Sequence, residues 1–115
     1  MEQSFTLNAK ARPHIAGVYR AYDPRGGEML VGYSYHLLST FNRFKLELPM
    51  NACTIAPLQE LWNKTGGAMK LEILEEYDGD ASYAFAEEME ETLQTMARKQ
   101  ARRLGENARL LQLTE

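Results

Sequence analysis

The chain is poor in cysteine, and it has no excess of positive charge. Cys53 is the only cysteine among 115 residues, so no disulfide can form within the chain. That fits a reducing compartment. No run approaches the ~20 apolar residues of a membrane-spanning helix, so no membrane location is expected. Residues 1–13 lack the apolar stretch of a secretory signal, and a cytoplasmic protein is expected. The net charge is −3, whereas nucleic-acid binders commonly carry a basic excess because phosphate contacts dominate their affinity. Proline is scarce, and Pro13, Pro24, Pro49 and Pro57 each fall at an expected boundary.

What is present suits one compact domain. The hydrophobic share is 44% and the charged share 25%, which is ordinary for a globular chain of a size that can build a core. We divide it into a leader (1–13), a single domain (14–105) and a tail (106–115).

His14 to Tyr22 is rich in apolar, aromatic and β-branched residues and reads as a strand. Asp23, Pro24, Arg25, Gly26 and Gly27 make a turn, and Glu28 to Tyr33 reads as the returning strand. Leu37, Leu38, Phe41, Phe44 and Leu48 recur at helical spacing until Pro49 stops them. A second helix is expected after Thr54 as N-cap, with Ile55, Leu58, Leu61 and Trp62 as its apolar stripe and Gly66 and Gly67 as its stop.

Lys70 to Tyr77 alternates, with Leu71, Ile73 and Glu75 on one face and Glu72, Leu74 and Glu76 on the other. After a turn, with Asp80 or Ser82 as cap, Tyr83 to Leu104 reads as the longest helix. Phe85, Met89, Thr92, Leu93 and Met96 form its buried stripe. The expected fold is α+β: a small three-stranded antiparallel sheet flanked by helices, in the order β-β-α-α-β-α, with Lys70–Tyr77 as central strand.

Several short motifs fall in this framework. Gly17-Val18-Tyr19 lies on the first strand and Leu30-Val31-Gly32 on the second, with Ser34 just beyond. Leu58-Gln59 and Trp62-Asn63-Lys64 share the second helix, Gly66 ends it, and Ile73-Leu74-Glu75-Glu76 lies on the third strand. Over residues 15–91 the chain resembles the GIY-YIG nuclease superfamily. The resemblance implies that fold. It also implies a cleft in which two tyrosines, an arginine and a cation-binding glutamate cut DNA phosphodiester bonds with Mg²⁺.

Carried over by position, Tyr19 matches the first tyrosine, but Leu30 stands for the second. Thr40 stands for the arginine and Phe44 for a histidine. Asn63 matches the helix asparagine, and Glu88 matches the glutamate, at the flank of the last helix's stripe. Arg43, one turn beyond Thr40, is the candidate substitute cation. Tyr19, Arg43 and Glu88 are thus the candidate catalytic residues, with Glu88 as metal ligand. Tyr19, Asn63, Arg43 and Lys45 are the candidate nucleic-acid contacts.

A leucine has no proton to move, and a hydroxyl does not replace a guanidinium fork. The expectation is therefore a module that binds DNA, RNA or protein without efficient cleavage and without a cofactor. The first alternative is a divergent Mg²⁺-dependent endonuclease. The second is a module that forms a homodimer or binds a protein partner through its last helix and tail. Leu110, Leu111 and Leu113 either fold back on the domain or expose an apolar patch. His14 and His36 show no metal-ligand spacing with each other or with Cys53. Cys53 reads as a packing residue, and Arg98 to Arg103 as a solvated helix end.

Overall fold

The computed structural model describes residues 5–6, 15–77 and 86–111. Its elements in chain order are β1 (Phe5–Thr6), β2 (Gly17–Tyr22), β3 (Met29–Ser34), α1 (Leu37–Glu47), α2 (Ala56–Lys64), β4 (Lys70–Glu76), α3 (Ala86–Leu104) and β5 (Ala108–Leu110). Strands and helices together make an α+β fold. No helix of the described residues is long and apolar enough to cross a membrane.

The hairpin forms as its turn residues dictate. The Asp23 carboxylate accepts the Arg25 N–H at 3.0 Å, the Gly26 N–H reaches the Asp23 carbonyl at 2.9 Å, and Gly26 and Gly27 take φ of +105° and +103°. β2 pairs antiparallel with β3 on one side and with β4 on the other. The sheet has five strands in the order β1-β4-β2-β3-β5, so it is larger than the expected three and β2 holds its centre in place of Lys70–Tyr77. The outer strands come from segments read as leader and tail. β1 lies parallel to β4, and β5 lies parallel to β3. Strands of two and three residues are too short to show a period of two.

Two cores form, one on each face. Alternation along the strands sends Tyr19, Ala21, Leu30 and Leu71 towards α1 and α2, where they meet Leu37, Phe41, Phe44, Leu58 and Leu61. Val18 and Val31 point the other way, onto Met89, Leu93, Met96 and Ala97 of α3. A bulge breaks the alternation in β4: Tyr19 pairs with Ile73, but Val18 pairs with Glu75. The extra residue turns Glu75 to the α3 side, where Gln100 donates to it at 3.0 Å. Glu75 therefore leaves the face it was expected to share with Leu71 and Ile73.

The helix ends also differ from expectation. Ile55, with no side-chain cap, takes the N-cap position of α2 in place of Thr54. The Tyr83 start, the Asp80 or Ser82 cap and the Phe85 contact lie outside the described residues. Thr92 is exposed, and the stripe of α3 runs Met89, Leu93, Met96, Ala97 and Gln100. The distal half of α3 finds cover: Ala101 and Leu104 pack in the same core as Ala108 of β5. The tail folds back as far as Leu111, whose N–H reaches the Val31 carbonyl at 2.8 Å and whose side chain is buried.

Candidate functional site

A cleft of about 790 Å³ opens where β3 runs into α1. Tyr33, Ser34 and Tyr35 line it from the end of β3. Thr40, Arg43, Phe44 and Glu47 line it from α1, residues 54–57 from the approach to α2, and Glu90 from α3. Tyr19 reaches it from the central strand.

Tyr19 owes its position to a glycine. Gly32 stands opposite it on β3, and a Cβ there would lie 2.7 Å from the Tyr19 hydroxyl oxygen. The bare glycine lets the phenol cross the neighbouring strand. Its ring meets Phe41 edge-on at 5.6 Å and Phe44 at 6.0 Å. Burial drives the Tyr19 phenol well above its ordinary pKa; Cys53 adds to the rise, and Arg43 opposes it. Such a phenol keeps its proton at neutral pH and is a poor general base.

Ser34 shapes the bend into α1. Its Oγ accepts the His36 N–H at 2.9 Å, a local serine turn, and lies 2.6 Å from Thr40 Oγ1. The Thr40 hydroxyl therefore spends its reach on Ser34. Leu30 is 1% exposed and packs in the core under α1 and α2. Phe44 is fully buried there too, and it also borders the cleft. Arg43 is exposed. Its guanidinium sits 5.5 Å over the Phe44 ring, and its Nε is 3.8 Å from Glu47.

The cleft thus brings together Tyr19, Thr40, Phe44 and Arg43 of the residues singled out in sequence. It does not include Lys45, Asn63 or Glu88. Lys45 is exposed on α1, outside the lining. Asn63 works as a clamp, donating to Asn51 Oδ1 at 3.2 Å and accepting from Gln59 at 3.3 Å. Gln59 holds the same loop by accepting the Cys53 N–H at 2.9 Å and donating to the Leu48 carbonyl at 3.0 Å.

Glu88 is exposed on α3, and Glu90 takes the place at the cleft. The reason is the phase of the helix. Placing Thr92 in the buried stripe rotated it towards Glu88. With the stripe centred on Met89, Leu93, Met96, Ala97 and Gln100, Glu90 lies about 75° from the centre and Glu88 about 125°, at roughly 100° per residue. The Glu90 carboxylate accepts from the Tyr33 hydroxyl at 3.3 Å and from the Gln94 amide at 3.4 Å. Gln94 also donates to the Tyr33 oxygen at 3.4 Å, closing a three-membered network. Tyr33 and Tyr35 meet edge to face at 6.5 Å. The signal for these two tyrosines was their place beside the second glycine motif. Nothing in the sequence singled out Glu47.

The donor set does not suit a Mg²⁺ ion that cuts phosphate. Such a site needs a carboxylate aimed at the metal and a guanidinium aimed at the phosphate. Arg43, the one guanidinium among the described lining residues, lies over the Phe44 ring and near Glu47, so none is aimed at a phosphate. Among the described residues, no group of three or more His, Cys, Asp or Glu is placed to hold a metal ion. No protein-family model, no curated protein and no solved structure matches this chain.

Proposed function

We propose that this chain is a GIY-YIG-like domain that binds a protein partner in its cleft and does not cleave phosphodiesters. The observation that carries this reading is the 2.6 Å hydroxyl pair of Ser34 and Thr40. The resemblance asks for an arginine at position 40, and a threonine tied to a serine has no charge to offer a phosphate. Two further observations support it: Leu30 is sealed in the core, and the Tyr19 phenol is held protonated. The antiparallel β4-β2-β3 arrangement, with Tyr19 opposite Gly32, is what supports the family resemblance itself. Charge favours protein over DNA or RNA. Among the described lining residues, two carboxylates, Glu47 and Glu90, face one guanidinium, that of Arg43.

The test is a nicking assay on plasmid DNA and on RNA with Mg²⁺ or Mn²⁺. No cleavage is expected. Metal-dependent nicking that disappears in Glu90→Ala would overturn the reading, and Glu88→Ala serves as the exposed control.

A second reading, self-association, draws on Leu110. It is 42% exposed on β5, at the edge of the sheet. Exposed strand edges invite pairing with another chain. Sedimentation equilibrium would show a homodimer that Leu110→Lys dissociates. A monomer at every concentration removes this reading.

A further inference from the structure

We propose that the cleft receives a cationic side chain of a partner polypeptide, an ammonium or a guanidinium, at the Glu90 carboxylate beside Tyr33 and Tyr35. This rests on reading the cleft as a binding site that does not cleave. Glu90 is held by uncharged groups. Its partners, the Tyr33 hydroxyl at 3.3 Å and the Gln94 amide at 3.4 Å, are neutral donors. The ion pairs of the described residues do not include it. Neutral donors orient a carboxylate and leave its charge in place, and a carboxylate keeps lone pairs beyond two hydrogen bonds.

The surroundings suit the same guest. Tyr33 and Tyr35, set edge to face, put two electron-rich rings at the cleft. A cation is drawn to the face of such a ring, and more strongly where water is excluded. Ile55 and Pro57, both half-buried, offer apolar surface for the stem of a lysine or arginine. Glu47 adds a second carboxylate, which Arg43 approaches only at 3.8 Å. A phosphate in this cleft would meet both carboxylates as like charges. The volume of about 790 Å³ accommodates a side chain together with the backbone that bears it.

The experiment uses the full chain. Nα-acetyl-lysine amide and Nα-acetyl-arginine amide are titrated while NMR follows the backbone amides of Tyr33 and Tyr35 and the side-chain amide of Gln94. Uncharged Nα-acetyl-norleucine amide and inorganic phosphate are the comparisons. The cationic probes should give saturable shifts at these groups, and norleucine amide should give none. Glu90→Gln keeps the contacts to Tyr33 and Gln94 and removes the charge; it should weaken binding at least tenfold. Glu88→Gln, off the cleft, should leave it unchanged.

Equal binding of norleucine amide overturns the proposal, as does unaltered affinity in Glu90→Gln or displacement of the probe by millimolar Mg²⁺. Shifts with phosphate but not with the cations also overturn it, while leaving the non-cleaving cleft intact. Nicking of DNA by the same preparation would instead remove the reading beneath it.

Discussion

Under α1 and α2 the sheet meets Leu37, Phe41, Phe44, Leu58 and Leu61, a set of large apolar side chains with almost no exposed surface. Under α3 it meets Met89, Leu93, Met96 and Ala97, and polar groups are built into the same interface: Gln100 on Glu75, and Gln94 and Tyr33 on Glu90. The first face is held by shape and volume. The second is partly held by directed bonds, and where those bonds reach the end of β3 they leave a carboxylate facing the cleft. The α1–α2 face keeps its polar groups at its margin, in the Ser34–Thr40 pair and the Gln59 amide, whereas the α3 face carries them within the contact between helix and sheet.

The comparison breaks first at Phe44, which belongs to the tight face and also bounds the cleft. Phe44→Ala should cost about 3–5 kcal/mol in urea unfolding, because a fully buried ring leaves a cavity. Leu93→Ala on the other face, equally buried, should cost about 2–5 kcal/mol. If Phe44→Ala costs nothing, the ring lines an open site and the two faces are not closed as described.

Glycine contacts sharpen it next. Gly32→Ala would bring a Cβ to 2.7 Å from the Tyr19 oxygen and 3.1 Å from Leu111. Overpacking of this kind should cost about 1–3 kcal/mol. Gly17→Ala should cost more, because its Cβ would strike the Glu75 carbonyl of the paired strand, which cannot turn aside as a side chain can. Denaturant midpoints in the reverse order would show that the phenol is the more rigid obstacle.

A third test uses pH. Burial raises the folded-state pKa of Tyr19 above its unfolded value of 10.0. The unfolded chain then releases this proton first as pH rises. The stability from the buried neutral phenol is present below pH 10 and is lost above it, at up to about 1.4 kcal/mol per pH unit. Cys53, half-buried and raised mainly by burial, shifts in the same direction. Thermal melts should fall more steeply above pH 10 for the wild type than for Tyr19→Phe. Parallel curves would mean that solvent reaches the phenol.

The legible parts of this fold were those with a strong period or a turn signal. Leu37, Phe41 and Phe44 marked α1, and Asp23 to Gly27 marked the hairpin. β1 and β5 escaped because two or three residues carry no period, and their partners lie far off in sequence. The cleft was legible at Tyr19, Thr40 and Arg43, whose places follow from motif spacing. It failed at Glu88 for want of a helix phase: a stripe that counted Thr92 as buried and omitted Ala97 and Gln100 turned the wrong glutamate inward. Asn63 sat at the right spacing and serves a loop instead. Spacing fixes a position along the helix, whereas only packing decides what the side chain meets.

The smallest effect is expected at the β4 bulge, where the α3 face departs from plain alternation. Glu75 receives the Gln100 amide at 3.0 Å and the Lys99 ammonium at 3.5 Å. Gln100 is 5% exposed, so its amide was taken from water and is repaid by that bond. The Lys99 side chain is 61% exposed, and its attraction to Glu75 is screened by solvent. Gln100→Ala should therefore lower stability by about 1 kcal/mol, and Lys99→Ala by no more than a few tenths. Raising the salt to 1 M should erase the Lys99 effect and leave the Gln100 effect. If the lysine proves the costlier loss, long-range charge holds α3 to the bulge. The directed bonds would then not be what distinguishes this face from the other.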